Sequence, residues 1–68
     1  MADSHKRLIV QLKRLRAKRG WSQAVLSKQS GLTKEYIARL ELGHHDPSLS
    51  TLTKLAKALR VPLSDLIG

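Results

Sequence analysis

A chain of 68 residues makes one small domain, and its 41% hydrophobic residues are typical of a globular rather than a disordered protein. The absence of cysteine excludes disulfides and thiolate metal sites, and no apolar run approaches the ~18 residues of a membrane span. The formal net charge of +8 favours a polyanionic partner. We expect a single soluble domain, residues 1–68, located in the cytoplasm.

The first predicted helix covers residues 4–19. Its apolar positions recur at helical spacing as one narrow stripe, formed by Leu8, Leu12 and Leu15. The same segment carries seven of the thirteen basic residues, so a basic amphipathic helix on a membrane surface is the alternative interpretation. The narrow stripe and the cations near the helix C-terminus favour packing against a core.

Two short helices are predicted next, at residues 22–29 and 33–42, and a tight turn joins them. Ser22 and Thr33 can each cap a helix by accepting a hydrogen bond from its first turn. Gly31 supplies the left-handed backbone that ends the first of these helices. This spacing over residues 23–42 is typical of a helix-turn-helix motif.

A fourth helix follows a loop at residues 43–47 and is capped by Ser48, and Pro62 precedes a last short helix at residues 63–67. All four glycines fall where a helical pattern ends: Gly20, Gly31, Gly43 and Gly68. No segment alternates as a β-strand does. The predicted fold class is all-α, with five helices in one domain.

The whole pattern resembles the Cro/C1-type, or Xre, helix-turn-helix family, which includes lambdoid phage repressors. The residues that carry the resemblance are Leu12-x-x-Leu15-Arg16, Trp21-Ser22-Gln23, Leu26, Ser30-Gly31-Leu32, Ile37, Leu40-Glu41-x-Gly43, Pro47-Ser48-Leu49 and Leu55-Ala56-x-Ala58-Leu59. Ser27 departs from the alanine that is usual at its position. The resemblance implies a DNA-binding transcriptional regulator, encoded by a bacterium or a phage and acting as a dimer.

The second helix of the motif would then present its outer face to base edges in the major groove. On a helical wheel this face carries Lys34, Glu35 and Arg39. Arg39 can bond guanine O6 and N7 together, Lys34 can meet a base or a phosphate, and Glu35 suits a cytosine amino group. The alternative role of Glu35 is to favour the positive start of the helix.

The resemblance also implies residues that contact the DNA backbone: Gln23, Thr33, Tyr36, His44 and His45. Helix N-termini offer N–H groups and positive dipole ends to phosphates, which agrees with the first two positions. Packing is the alternative role of Tyr36. A metal site at His44, His45 and Asp46 is not expected, because adjacent residues of one loop rarely converge on an ion.

The resemblance further suggests that Arg16 and Glu41 form a structural pair. Trp21 is expected to cover the core at the junction after the first helix. For the dimer interface we predict Val61, Leu63, Leu66 and Ile67, because the last segment has more apolar surface than a short helix needs as an anchor. Closing the core of one monomer is the alternative role of these four residues.

The leading hypothesis is a homodimeric regulator that occupies a near-palindromic double-stranded DNA operator. No nucleophile–base set and no phosphate-binding loop is apparent, so we do not expect an enzyme, and we expect no cofactor and no metal. From the size of the chain we also expect no small-molecule effector. An antitoxin or a coactivator-bridging module of the same fold is the alternative function, and a phage repressor or a restriction–modification controller protein fits the DNA-binding hypothesis equally well.

Overall fold

The computed structural model describes residues 2–67, and the side chains from residue 6 onward, as a bundle of helices. The five helices in this part of the chain are α1 (Ala2–Lys18), α2 (Gln23–Ser30), α3 (Lys34–Glu41), α4 (Leu49–Leu59) and α5 (Ser64–Ile67). No strand occurs between residues 2 and 67. The predicted all-α fold with five helices is therefore confirmed.

The helix ends differ from the prediction by one or two residues. The helix α1 begins two residues before the predicted start, since neither glycine nor proline interrupts that stretch. Ser22, Thr33 and Ser48 are the N-cap residues of α2, α3 and α4, and they adopt extended backbone rather than helical backbone. An N-cap residue lies outside the helix that it caps, which accounts for the shift at α2 and α3.

The core lies between the helices, where α1 packs against α3 and α5, and α2 and α5 pack against α4 while α2 also packs against α3. In the described part its buried apolar residues are Leu8, Leu12, Leu26, Ile37, Leu40, Leu55, Ala56, Leu59 and Leu66. Leu15 and Trp21 are half-buried and pack against this cluster. Because α2 and α3 have only eight residues each, tertiary packing rather than helix propensity holds them in place.

One residue of the predicted dimer interface belongs to this core. Leu66 is 0% exposed in the monomer, so it has no surface to offer to a second chain. The prediction is corrected at this position, because the inward side of α5 closes the core of its own monomer. Ile67, the next residue, is 44% exposed.

The turn between α2 and α3 has a left-handed residue at its centre. Gly31 has φ 79° and ψ 7°, and its N–H donates to the carbonyl of Ser27. The Ser27 hydroxyl donates in turn to the carbonyl of Leu32. These bonds satisfy carbonyls of the helix end and of the turn, so the direction in which α3 leaves α2 is fixed locally. Gly68, the last of the four glycines, lies outside the described residues.

Across residues 2–67, the helices are too short or too polar to cross a membrane.

The first test concerns this turn. A Cβ at Gly31 would meet nothing within 4 Å, so Gly31→Ala carries only the cost of left-handed backbone. We expect a loss of about 1 kcal/mol in the free energy of unfolding, measured by urea denaturation. Gly31→Asn should lose less, because asparagine tolerates this conformation better. An alanine variant as stable as the wild type would contradict the assigned role of the turn.

Candidate nucleic-acid interface

The helix α3 has one buried side and one exposed side. Ile37 and Leu40 are 0% exposed and anchor the helix in the core. Lys34, Glu35 and Arg39 are exposed on the other side, as the sequence predicted. Helix geometry fixes the directions of the exposed side chains relative to those of the buried ones. The packing of Ile37 and Leu40 in the core therefore determines which side chains of α3 face solvent.

The starts of α2 and α3 are both capped by side-chain hydroxyls. The Ser22 Oγ accepts a hydrogen bond from the Val25 N–H at 3.2 Å, and the Thr33 Oγ1 accepts one from the Tyr36 N–H at 3.0 Å. Each hydroxyl keeps its own proton for a further hydrogen bond. Thr33 is exposed, so its proton and the remaining N–H groups of the first turn of α3 are available to an anion.

A buried carboxylate connects three helices. Glu41, at the end of α3, is 4% exposed, and Arg16 of α1 donates to it from Nε at 2.8 Å and from Nη2 at 2.9 Å. Gln23, the first residue of α2, donates from Nε2 to Glu41 Oε1 at 3.0 Å. A third Arg16 donor, Nη1, reaches the carbonyl of Trp21 at 2.9 Å. The pair expected from the family resemblance is thus present, as part of a larger network.

The protonation of Glu41 is governed by two opposing effects. Burial raises the pKa of this carboxyl, but the hydrogen bonds from Arg16 and Gln23, with the charges of Arg16 and Lys13, outweigh it and hold the pKa below its ordinary value. The carboxylate is therefore ionised at neutral pH. An ionised buried carboxylate is stable in this position only because a bidentate arginine satisfies it.

Gln23 has one donor left for a ligand. Its amide nitrogen carries two protons, of which Glu41 takes one. The hydrogen bond to Glu41 holds the side chain at the start of α2 and ties it to the end of α3. A phosphate contact by Gln23 is therefore compatible with its structural role.

Tyr36 and His45 form a contact that sequence reasoning missed. Their rings are stacked with centroids 4.6 Å apart and an angle of 20° between the ring planes. The stack attaches the loop after α3 to α3 itself, and both residues are half-buried. The two residues are nine positions apart across a loop, so no periodic signal connects them. His44, the preceding residue, is exposed.

The residues predicted for the dimer interface lie near the last turn of the chain. Val61 and Leu63 are half-buried and pack against the core, and Ile67 is partly exposed. Gln11 of α1 holds this region by donating from Nε2 to the carbonyl of Asp65 at 2.9 Å. The structure therefore leaves a small apolar surface at α5 and fixes its position.

Among the described residues, His44, His45 and Asp46 do not form part of any cluster of three or more side chains suited to a metal ion.

Comparisons with known proteins agree with this geometry. A family model described as Helix-turn-helix matches residues 12–66. The HTH-type transcriptional regulator SutR of Escherichia coli (strain K12) is 39% identical over 57 residues, which are 84% of this chain and 32% of SutR. The immunity repressor protein of Bacillus phage phi105 is 35% identical over 57 residues, which are 84% of this chain and 40% of the repressor. The chain thus corresponds to less than half of either relative.

A solved structure matches over nearly its full length. The restriction-modification controller protein C.AhdI from Aeromonas hydrophila superposes with a TM-score of 0.88 at 36% sequence identity. The match covers 97% of this chain and 98% of that one. The resemblance drawn from the sequence motifs is confirmed by these comparisons.

The second test concerns Glu41. Glu41→Ala leaves Arg16 without its partner in a half-buried position, so we expect a loss of roughly 3 kcal/mol in the free energy of unfolding. The wild type should also lose stability as the pH falls through the lowered pKa of Glu41, because protonation breaks the pair. The glutamine of Glu41→Gln does not titrate in the acidic range, so the stability of this variant should depend less on pH. Thermal unfolding from neutral to acidic pH measures both effects.

A matched control is Glu35→Gln, which removes an exposed carboxylate from the same helix. This variant should keep the stability and the acid dependence of the wild type. If Glu41→Ala unfolds at the wild-type temperature, the network does not stabilise the fold.

Proposed function

Because this chain belongs to the Cro/C1-type helix-turn-helix family of transcriptional regulators, which are not enzymes, we propose that it binds double-stranded DNA sequence-specifically. The observation that carries the proposal is the two-sided helix α3. Its apolar side is fully buried, and its exposed side presents two cations, Lys34 and Arg39, at the end of a capped and rigidly held motif. A helix held in this way can enter the major groove without reorganising.

Three residues of α3 are proposed to read bases. Arg39 presents a planar fork that suits guanine O6 and N7, and Lys34 lies at the exposed start of the helix. Glu35 repels phosphate, so its place on the same exposed side suits a cytosine amino group. The combination of two donors and one acceptor would select among base pairs rather than bind all of them equally.

Contacts to phosphates are proposed for the residues around the two helix starts and the following loop. Gln23 has a free amide proton, and Thr33 has a free hydroxyl proton, next to helix N–H groups. Tyr36 and His45 support each other by stacking, so the loop that carries His44 is held beside α3. Such contacts set the position of α3 on the duplex but do not select the sequence.

The working unit is proposed to be a homodimer on a near-palindromic operator. One short helix reads few base pairs, whereas a two-fold dimer reads two half-sites about one helical turn, ~10 bp, apart. The proposed contact surface is the apolar patch of Val61, Leu63 and Ile67, which remains accessible beside the buried Leu66. The position of this patch is fixed by the hydrogen bond between Gln11 and Asp65.

The regulatory role follows the relatives. One of them is named an immunity repressor and another a restriction-modification controller protein. We propose that this chain likewise controls transcription by occupying an operator, in the cytoplasm of a bacterium or of a phage-infected cell. Duplexes selected from random DNA by the purified protein would identify the operator.

The third test removes the main base-reading side chain. Arg39→Ala should cost ~1–3 kcal/mol of binding free energy on the selected operator and relax the preference at one base position in each half-site. Fluorescence anisotropy on single-base operator variants measures both. Arg14→Ala removes an exposed arginine of α1 and should alter affinity less, without changing the base preference. Unchanged affinity and selectivity in Arg39→Ala would show that the assigned reading face is wrong.

The fourth test concerns the dimer. Sedimentation should give two protein chains per operator, and Ile67→Glu should reduce this to one chain with much weaker binding, because a charge cannot be buried in an apolar contact. Leu49→Glu, at a 65% exposed leucine on α4, is the control and should leave the stoichiometry unchanged. A single chain bound to a non-repeated site would overturn the dimer.

The binding constant for the operator should also fall with salt, with a log–log slope of about −5 to −9, as expected for roughly 6–10 phosphate contacts.

A further inference from the structure

A shallow basic groove lies between the C-terminal ends of α2 and α4. We call it the α2–α4 groove, and its volume is about 320 Å³. The residues that line it are Gln29, Ser30, Lys54, Lys57, Ala58 and Arg60. Its three cations are exposed, and none of these lining residues is acidic. The sequence pattern did not reveal this groove, because its two walls are more than twenty positions apart in the chain.

The cations of the groove have no partner in the described part of the protein. The ion pair between Arg16 and Glu41 is formed elsewhere, and no side-chain hydrogen bond in residues 6–67 uses Lys54, Lys57 or Arg60. Three like charges on one side of a short helix repel one another, so their proximity does not favour folding. An external anion would relieve this repulsion.

Arg60 adds a second, independent observation. It ends α4 with φ 56° and ψ 46°, in the left-handed region that disfavours residues with a Cβ. Elsewhere in the described part, the residues with positive φ are glycines. A long cation therefore occupies a position where glycine would be less strained, and strain of this kind is often associated with function.

The cations of the groove belong to α4 and its C-cap, whereas Ser30, on the α2 wall, comes only three residues before Thr33. Gln23 starts α2 and the loop carrying His44 and His45 precedes α4, so these proposed backbone contacts are at the N-terminal ends of the two helices. The groove is at their C-terminal ends, which lie ~12 Å farther along α2 and ~16 Å farther along α4 at 1.5 Å per residue. If the proposed function is right, a duplex on α3 leaves the α4 wall of the groove accessible, with its three cations.

We propose that the α2–α4 groove binds an acidic segment of a partner protein while α3 is occupied by DNA. Carboxylates on successive turns of a helix are about 5–6 Å apart, which matches the spacing of Lys54 and Lys57, three residues apart on one side of α4. The Arg60 guanidinium can bind one of these carboxylates bidentately. Gln29 adds a neutral amide group on the other wall, where the Ser30 hydroxyl already donates to the carbonyl of Ser27. Cations that stay accessible on the DNA-bound regulator are suited to contact the protein machinery of transcription.

The experiment uses a fluorescein-labelled helical peptide with glutamates along one face, and an isomer with the same composition whose glutamates are spread around the helix. Binding is measured by anisotropy to the free protein and to the protein saturated with its selected duplex. We expect the one-faced peptide to bind both forms similarly and more tightly than the isomer. The variant Lys54→Gln, Lys57→Gln, Arg60→Gly should bind it at least about tenfold more weakly.

The control variant removes three exposed cations of the same types from α1: Lys6→Gln, Arg14→Gln and Lys18→Gln. It should keep most of the peptide affinity, since only the net charge changes. Both triple variants must show a cooperative thermal unfolding transition. The single variant Arg60→Gly should raise the melting temperature or leave it unchanged, because glycine adopts the left-handed backbone without strain.

Each other outcome overturns the proposal in a recognisable way. Equal loss in both triple variants means that the groove is ordinary solvated charge. Displacement of the peptide by duplex DNA places the peptide on α3, and a larger loss of DNA affinity in the groove variant than in the control makes the groove a DNA site. Failure to bind any duplex would refute the proposed function alone, because the peptide is also measured on the free protein.

Discussion

The buried carboxylate of Glu41 is the constraint on which the rest of the structure depends. A charge that is 4% exposed is stable only when its oxygens are satisfied, and donors from α1 and α2 satisfy them. Displacing α1 would leave the charge unpaired, and displacing α2 would remove one of its hydrogen bonds. Glu41 therefore does more than close the end of α3. It fixes α3 relative to α1 and α2 in one arrangement, with a directional requirement that the leucines of the core do not impose.

This arrangement explains how two eight-residue helices can form a rigid motif. Neither is long enough to be stable alone, and each begins with a side-chain hydroxyl that caps it. The left-handed Gly31 sets the angle between them, and the Glu41 network joins the start of α2 to the end of α3. The position of α3 is thus fixed at its start by the turn, at its end by Glu41, and along its buried side by Ile37 and Leu40. Such preorganisation reduces the entropy lost when a side chain such as Arg39 meets a ligand.

The sequence predicted those features whose causes are local. Helix ends depend on caps and glycines within a few residues, and the buried side of α3 depends on helical periodicity, so both were accessible before the structure. The partner of Glu41 came from family resemblance, because no periodic signal connects it to Arg16 across a separation of 25 positions. Leu66 was misplaced because an apolar residue in a short last helix suits the core and an interface equally. The stack of Tyr36 on His45 and the α2–α4 groove depend on packing between distant segments, which no local rule describes.

The cations of this strongly basic chain divide into two physical classes. Arg16 uses three donors inside the protein, and Arg19 donates from Nε and Nη2 to the carbonyl of Leu59 while its guanidinium lies 5.2 Å from the centroid of the Trp21 ring. These arginines cover a helix end and a buried charge, so the fold itself accounts for them. Lys34 and Arg39 on α3, and the cations of the groove, make no comparable contacts in the described part of the chain. Their mutual repulsion favours any anion that approaches. Since one set belongs to α3 and the other to α4 and its C-cap, each set can bind an anion of its own.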